Sequence, residues 1–168
     1  GHTVVFSGQT FKFHLIPSGI LFPGTTCIVG HGTVIYPDVF EKELANLHEK
    51  GISPDKLYIS PRAHVTLPYH IDLDAHNEEQ LGNRKIGTTK RGIGPTYEDK
   101  VGRVGLRVGD LLLSDEDLTH RLEALVAKKN PVLTKVYDLP ALEVSELFAL
   151  CQTYRTLFGP FIKDTGPM

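Results

Sequence analysis

Two short apolar runs, Thr26-Cys27-Ile28-Val29 and Leu57-Tyr58-Ile59, bracket a helical pattern from Asp38 to Lys50, and this succession does most to limit the fold. Within the pattern Phe40, Leu44 and Leu47 fall at i, i+4 and i+7, which lines up one apolar stripe. Asp38 is placed to cap the start, and Lys50-Gly51 supplies a cationic last turn and a glycine stop. Strand, helix and strand in that order predict an α/β domain with a partly parallel sheet.

The flanking stretches extend this frame. Thr3–Phe6 and Phe11–Leu15 read as a β-hairpin around Ser7-Gly8-Gln9-Thr10, with Phe11, Phe13 and Leu15 on the buried face and Lys12 and His14 on the wet one. Thr33–Tyr36 reads as a further short strand, and Ser53-Pro54-Asp55 as a turn. Pro68–Gln80 is expected to be helical. His64, His70 and His76 recur every six residues, but six helical steps rotate about 240°, so their rings do not converge on a metal. Leu106–Leu113 returns to apolar structure. Ser114 should cap a helix whose first turn holds three acids and whose stripe is Leu118, Leu122, Leu125 and Val126, ending at Asn130-Pro131. Asp138-Leu139-Pro140 should open another, carrying Leu147, Cys151, Tyr154, Phe158 and Phe161. The expected division is sheet elements and a crossover helix over roughly 1–60, a helix and glycine loop over 61–105, and a helical subdomain over 106–168.

With 168 residues, 40% apolar and 23% charged, the chain has an ordinary globular make-up, and its net charge of −2 argues against a dedicated nucleic-acid binder. No apolar run approaches a membrane span, so neither nucleic acid nor membrane is an expected partner. Cys27 and Cys151 lie far apart in apolar surroundings and read as two buried thiols of a reducing compartment. The chain opens at Gly1-His2-Thr3 and closes on Asp164-Thr165-Gly166-Pro167-Met168, which reads as an interior segment of a longer protein.

Between Ile86 and Arg103 the chain packs glycines, the hydroxyls of Thr88 and Thr89 and the cations Lys90, Arg91, Lys100 and Arg103 into a stretch with no steady apolar period. Glycine lets a backbone approach a ligand closely, while hydroxyls, N–H groups and cations suit an anion. A phosphate-cradling loop and a flexible loop with merely solvated charges both fit that composition. With few apolar anchors before Leu106, the stretch is expected to be mobile.

Gly92-Ile93-Gly94-Pro95-Thr96-Tyr97-Glu98-Asp99-Lys100-Val101-Gly102-Arg103, preceded by Gly87-Thr88-Thr89, closely resembles a signature of the adenylosuccinate synthetases. Gly1-His2-Thr3-Val4-Val5, His14–Leu21 and Gly30-His31-Gly32 follow in the same family's order, so the resemblance covers essentially the whole chain. It implies an α/β fold that is part of a mostly parallel-sheet, P-loop-type GTP-binding domain plus a helical subdomain. It further implies a cytoplasmic, GTP-dependent ligase of AMP and purine biosynthesis that couples IMP to L-aspartate with Mg²⁺, through 6-phosphoryl-IMP. The alternative is a non-catalytic nucleotide-binding or dimerisation module.

Residue by residue, the resemblance implies that His2 donates a proton beside the 6-oxygen of IMP, and that the Gly1 carbonyl binds Mg²⁺. Gly1, His2 and Thr3 would contact GTP, and Gly1, His2, Thr89 and Arg103 would contact IMP. Thr89 would donate to the IMP phosphate, and Arg103 would reach the neighbouring subunit's site in a homodimer. Lys100 matches a lysine associated with activity, a solvated structural lysine being the alternative. Lys90 stands where bacterial relatives commonly have glycine, and His31 where asparagine is frequent. The family's GTP loop with its catalytic aspartate would precede Gly1, and further IMP, aspartate and guanine contacts would follow Met168. The chain alone is therefore expected to be inactive.

Overall fold

The computed structural model describes residues 1–80, 87 and 90–168. Strands β1 (His2–Phe6) and β2 (Gln9–Phe13) form the expected antiparallel hairpin, in register from His2 opposite Phe13 to Phe6 opposite Gln9. Its two-residue turn, Ser7-Gly8, has positive φ at both positions, the geometry whose twist matches a hairpin. Phe11 and Phe13 are buried on the inner face while Lys12 and His14 stay in water.

Beyond a 3₁₀ turn at Ser18–Leu21, β3 (Cys27–Val29) and β4 (Val34–Ile35) lead into α1 (Pro37–Glu49), followed by β5 (Leu57–Ile59) and β6 (His64–Val65). β3 pairs with β5 and β4 with β6, both in parallel, and α1 is the crossover that a parallel pair requires. Phe40, Leu44 and Leu47 are buried as the periodicity predicts, each contributing about 2 kcal/mol of hydrophobic stabilisation. The helix starts differently from expectation. Tyr36 occupies the cap position without a side-chain bond, Pro37 fills the first turn, and Asp38 lies inside the helix as a dipole-favoured acid.

The second half is helical, with α2 (Pro68–Gln80), α3 (Ile93–Val101), α4 (Asp115–Val136) and α5 (Val144–Phe158). Ser114 caps α4 by accepting from the Asp117 N–H at 3.1 Å. Three expectations are corrected here. α4 does not stop at Asn130-Pro131 but runs six residues past Asn130, to Val136. Pro131 deprives only the Ala127 carbonyl of its donor. The Asn130 side chain meanwhile grips the Leu142 N–H at 2.8 Å and carbonyl at 3.0 Å, and Leu133 is buried beyond the proline. α5 begins at Val144, not Asp138, because Asp138 adopts a left-handed conformation and Glu143 occupies the cap position. Phe161 lies in a separate 3₁₀ turn, Gly159–Phe161.

The third correction concerns the glycine-rich stretch, whose later part is helix α3 held by buried polar side chains. Thr96 Oγ1 bonds Thr66 Oγ1 at 3.0 Å and the Gly92 carbonyl at 2.6 Å. Asp99 lies at the centre of a network described below. Gly92 precedes the helix at φ +70°, and a Cβ there would sit 2.8 Å from the His70 backbone, so α2 and α3 meet through a contact only glycine allows.

Cys27 and Cys151 are both buried free thiols, as expected. Burial raises the Cys27 thiol and pushes Cys151 up to about 12. Among the described residues no helix is long and apolar enough to cross a membrane.

Candidate functional site

The hairpin and the start of α3 enclose a cleft of about 620 Å³, a size suited to a small-molecule ligand. Gly1, His2 and Thr3 line it together with Lys12, His14, Tyr36, Arg91 and Tyr97. No carboxylate is among the described residues of its wall, so the cleft favours anions. Strand pairing places His2 opposite Phe13, with ring centroids 5.6 Å apart. A Cβ on Gly1 would lie 2.6 Å from the His14 ring, so a larger residue there would have to push that imidazole aside.

A second cleft, about 690 Å³, gathers Lys100 and Arg103 with Arg62, Arg107, Arg121, His31 and His64. Asp110 is the single carboxylate among its described lining residues, and it is engaged by the Arg107 N–H at 2.9 Å and by Arg121 Nε at 3.5 Å. Lys100 Nζ donates to the His31 carbonyl at 2.5 Å and stands 3.3 Å from His64 Nδ1. Burial, then the cations of Lys100 and Arg107, lowers the His64 imidazole to about 4, so it is neutral at physiological pH and accepts from Lys100. Burial and Arg107 also hold the Lys100 ammonium below the usual lysine range. The turn at His31 thus serves Lys100 through its backbone, whichever side chain it carries.

α3 divides the two clefts. Tyr97 Oη donates to the Gly32 carbonyl at 3.1 Å, one residue along from the carbonyl that Lys100 engages. Residues three apart on a helix share a face, and here that face is fixed to one turn. Arg103 follows α3 with φ +57° and Lys90 precedes it with φ +50°, left-handed conformations that cost a non-glycine residue about 1 kcal/mol or more. A glycine at position 90 would adopt that backbone without the cost.

Beneath α3, the Asp99 carboxylate accepts from Tyr69 Oη at 2.5 Å and His70 Nε2 at 3.0 Å, and it pairs with Lys129. His70 Nδ1 accepts the Leu67 N–H at 2.9 Å, which fixes the tautomer carrying its proton on Nε2. Burial would push the Asp99 carboxyl up, but hydrogen bonds from His70, Lys129 and Tyr69 outweigh it and hold the group down at about 2.

Gly1, His2 and Thr3 therefore stand together, while Lys100 and Arg103 face a different cleft. Thr89 lies outside the described residues. His64 lines the second cleft, His70 is in the Asp99 network, and the His76 ring packs on Tyr137 at 5.4 Å, so the three histidines do not converge. Among the described residues no group of three His, Cys, Asp or Glu side chains could hold a metal ion. The protein oxygen at Gly1 would suit a hard cation that takes its remaining ligands from phosphates and water. Arg62, Arg107 and Arg121 were not singled out by sequence reasoning, and His64 was weighed there only as a metal ligand, since no spacing links the four.

The sequence profile described as adenylosuccinate synthetase matches residues 1–168. Adenylosuccinate synthetase of Microcystis aeruginosa is 52% identical over 166 residues, covering 99% of this chain and 37% of that protein. That of Heliobacterium modesticaldum is also 52% identical over 166 residues, covering 99% of this chain and 39% of that protein. A solved structure, described as fully ligated adenylosuccinate synthetase from Plasmodium falciparum, superposes with a TM-score of 0.78 at 29% identity, covering 98% of this chain and 38% of that one. The chain thus spans less than two fifths of the length of these relatives. Matched from its first residue to its last, and sharing the relatives' α/β fold, the chain belongs to the adenylosuccinate synthetase family.

Proposed function

We propose that this chain is part of a GTP-dependent carbon–nitrogen ligase that joins IMP and L-aspartate into adenylosuccinate, with release of GDP and phosphate, by way of 6-phosphoryl-IMP. The observation that carries this reading is the family match across residues 1–168. The cationic cleft around Gly1, His2 and Thr3 supports it, because both nucleotides are polyanions.

In this reading His2 delivers a proton at the 6-oxygen of IMP, a task an imidazole can perform when held in place. Gly1, His2 and Thr3 contact GTP, and the Gly1 carbonyl gives Mg²⁺ one oxygen ligand. Bound there, Mg²⁺ would neutralise phosphate charge. Gly1 and His2 also border IMP, and Thr89 gives its phosphate a hydroxyl donor. Arg103 serves the neighbouring subunit's site in a homodimer, in keeping with a cleft separate from that of His2. Lys100 keeps that second cleft electropositive. The chain forms an interior part of a cytoplasmic enzyme of AMP biosynthesis, with sheet elements over roughly 1–60, the IMP-side loop within 61–105 and a helical subdomain over 106–168.

Phosphate release from GTP and Mg²⁺, assayed on the protein carrying this chain, should require both IMP and aspartate. Release that ignores IMP, or none dependent on aspartate, refutes the assignment. His2→Asn should lower kcat by about a hundredfold or more. Tight IMP binding by the 168-residue chain without turnover in the longer protein would instead favour a nucleotide-binding or dimerisation module.

A further inference from the structure

We propose that Glu43, on α1, is the positioning residue for the end of the hairpin that carries Gly1 and His2. The proposal rests on the reading of His2 as the proton donor. Glu43 is only 6% exposed and lies on the face of α1 that buries Phe40, Leu44 and Leu47. A carboxylate is costly to bury unless its oxygens are fully engaged. Here three consecutive backbone N–H groups engage it. Oε1 accepts from His14 at 2.5 Å, Oε2 from Ile16 at 2.8 Å, and both oxygens accept from Leu15, at 3.3 and 3.2 Å. His14 Nδ1 stands a further 3.4 Å from Oε1.

These amides belong to the chain just after β2, where the pairing with β1 has ended at Phe13. The acid and the amides therefore solve each other's desolvation. The path to the cleft is short. Glu43 fixes the backbone from His14 to Ile16; Phe13, one residue back, is the ladder partner of His2 and packs on its ring. His14 is also the side chain against which Gly1 is packed. Two helical turns on from Glu43, at the residue that caps the C-terminal end of α1, Lys50 Nζ donates to the Thr10 carbonyl at 2.6 Å and lies 4.2 Å from the Phe11 ring centroid. α1 thus fastens β2 at both ends, with a buried acid at the His2 end and an exposed lysine at the turn end. Once the acid is removed, the three amides turn to water and the strand end is released. A displacement of about 1 Å at a reacting group can lower a rate on the order of a hundredfold.

Glu43→Gln keeps the shape and removes the charge, Glu43→Asp keeps the charge and shortens the reach, and Lys50→Met releases only the turn end. In the protein carrying this chain, Glu43→Gln should speed hydrogen exchange at His14, Leu15 and Ile16 by about tenfold or more relative to Lys50→Met. It should weaken the nuclear Overhauser contact between the His2 and Phe13 rings. kcat per folded molecule should fall roughly ten- to a hundredfold, with the KM for IMP within about twofold. Glu43→Asp should fall between, and it decides the matter should Glu43→Gln not fold. A variant that unfolds earlier yet keeps the ring contact and kcat per folded molecule overturns the proposal. Absence of IMP- and aspartate-dependent turnover in the unsubstituted protein would instead sink the functional reading, leaving exchange and ring contact to judge Glu43.

Discussion

Replacing Asp99 with asparagine isolates what one buried carboxylate does for the docking of α3. Its carboxyl is held at about 2 against an ordinary 3.8, a difference worth on the order of 2 kcal/mol of folding stability at neutral pH. The amide loses that contribution and adds a mismatch, because Tyr69, His70 and Lys129 all donate toward this residue. Breaking a buried pair from one side costs about 3–5 kcal/mol, and the partial exposure of Lys129 lets its ammonium reach water, so about 3 kcal/mol is expected. The sign with pH follows from a depressed carboxyl. Its contribution is fully present above about pH 4 and is lost as pH falls through about 2. Urea unfolding followed by circular dichroism should give a gap between the two proteins of about 3 kcal/mol at pH 7, shrinking to about 1 kcal/mol near pH 2. A gap equal at both pH values, or below about 0.5 kcal/mol at pH 7, would refute the reasoning.

Two further substitutions test local geometry. Arg103→Gly should relieve the left-handed backbone at φ +57° and raise stability by up to about 1 kcal/mol in urea unfolding, while IMP-dependent turnover falls; a lower midpoint would mean that contacts, not strain, govern this position. Ser114→Ala should remove the acceptor for the Asp117 N–H and cost about 1 kcal/mol in the same assay, and an unchanged midpoint would dismiss the cap.

The sheet half of the fold was legible because its elements are written in apolar period. Phe11 and Phe13 alternate with wet neighbours, and Phe40, Leu44 and Leu47 recur at helical spacing. Elements held by polar groups were not. α3 is anchored by Thr96 and Asp99, whose partners come from Thr66, Tyr69, His70 and Lys129, and no count of apolar residues registers such anchors. β6 is two residues long and exists because β4 runs beside it, which is tertiary context rather than propensity. At Pro131 a local rule was overridden by Asn130, which holds a segment twelve residues on. In the candidate site, the grouping of Gly1, His2 and Thr3 was foreseeable from the family resemblance alone. Composition had left a single glycine loop open between an anion site and merely solvated charge. The structure gives two clefts on either side of α3, the second assembled from Arg62, His64, Arg107 and Arg121 on separate segments.

The two buried thiols allow this protein to time its own opening. Cys27 sits in β3 of the sheet half and Cys151 in α5 of the helical half, and neither reaches solvent as a thiolate while its surroundings are closed. An alkylating reagent consumes each cysteine only as fast as its own neighbourhood lets go. Equal labelling rates at the two positions would describe one cooperative unit, and unequal rates two that separate before the chain unfolds. A pair of residues with no assigned chemistry thus becomes a built-in clock for cooperativity, readable by mass spectrometry without a single substitution.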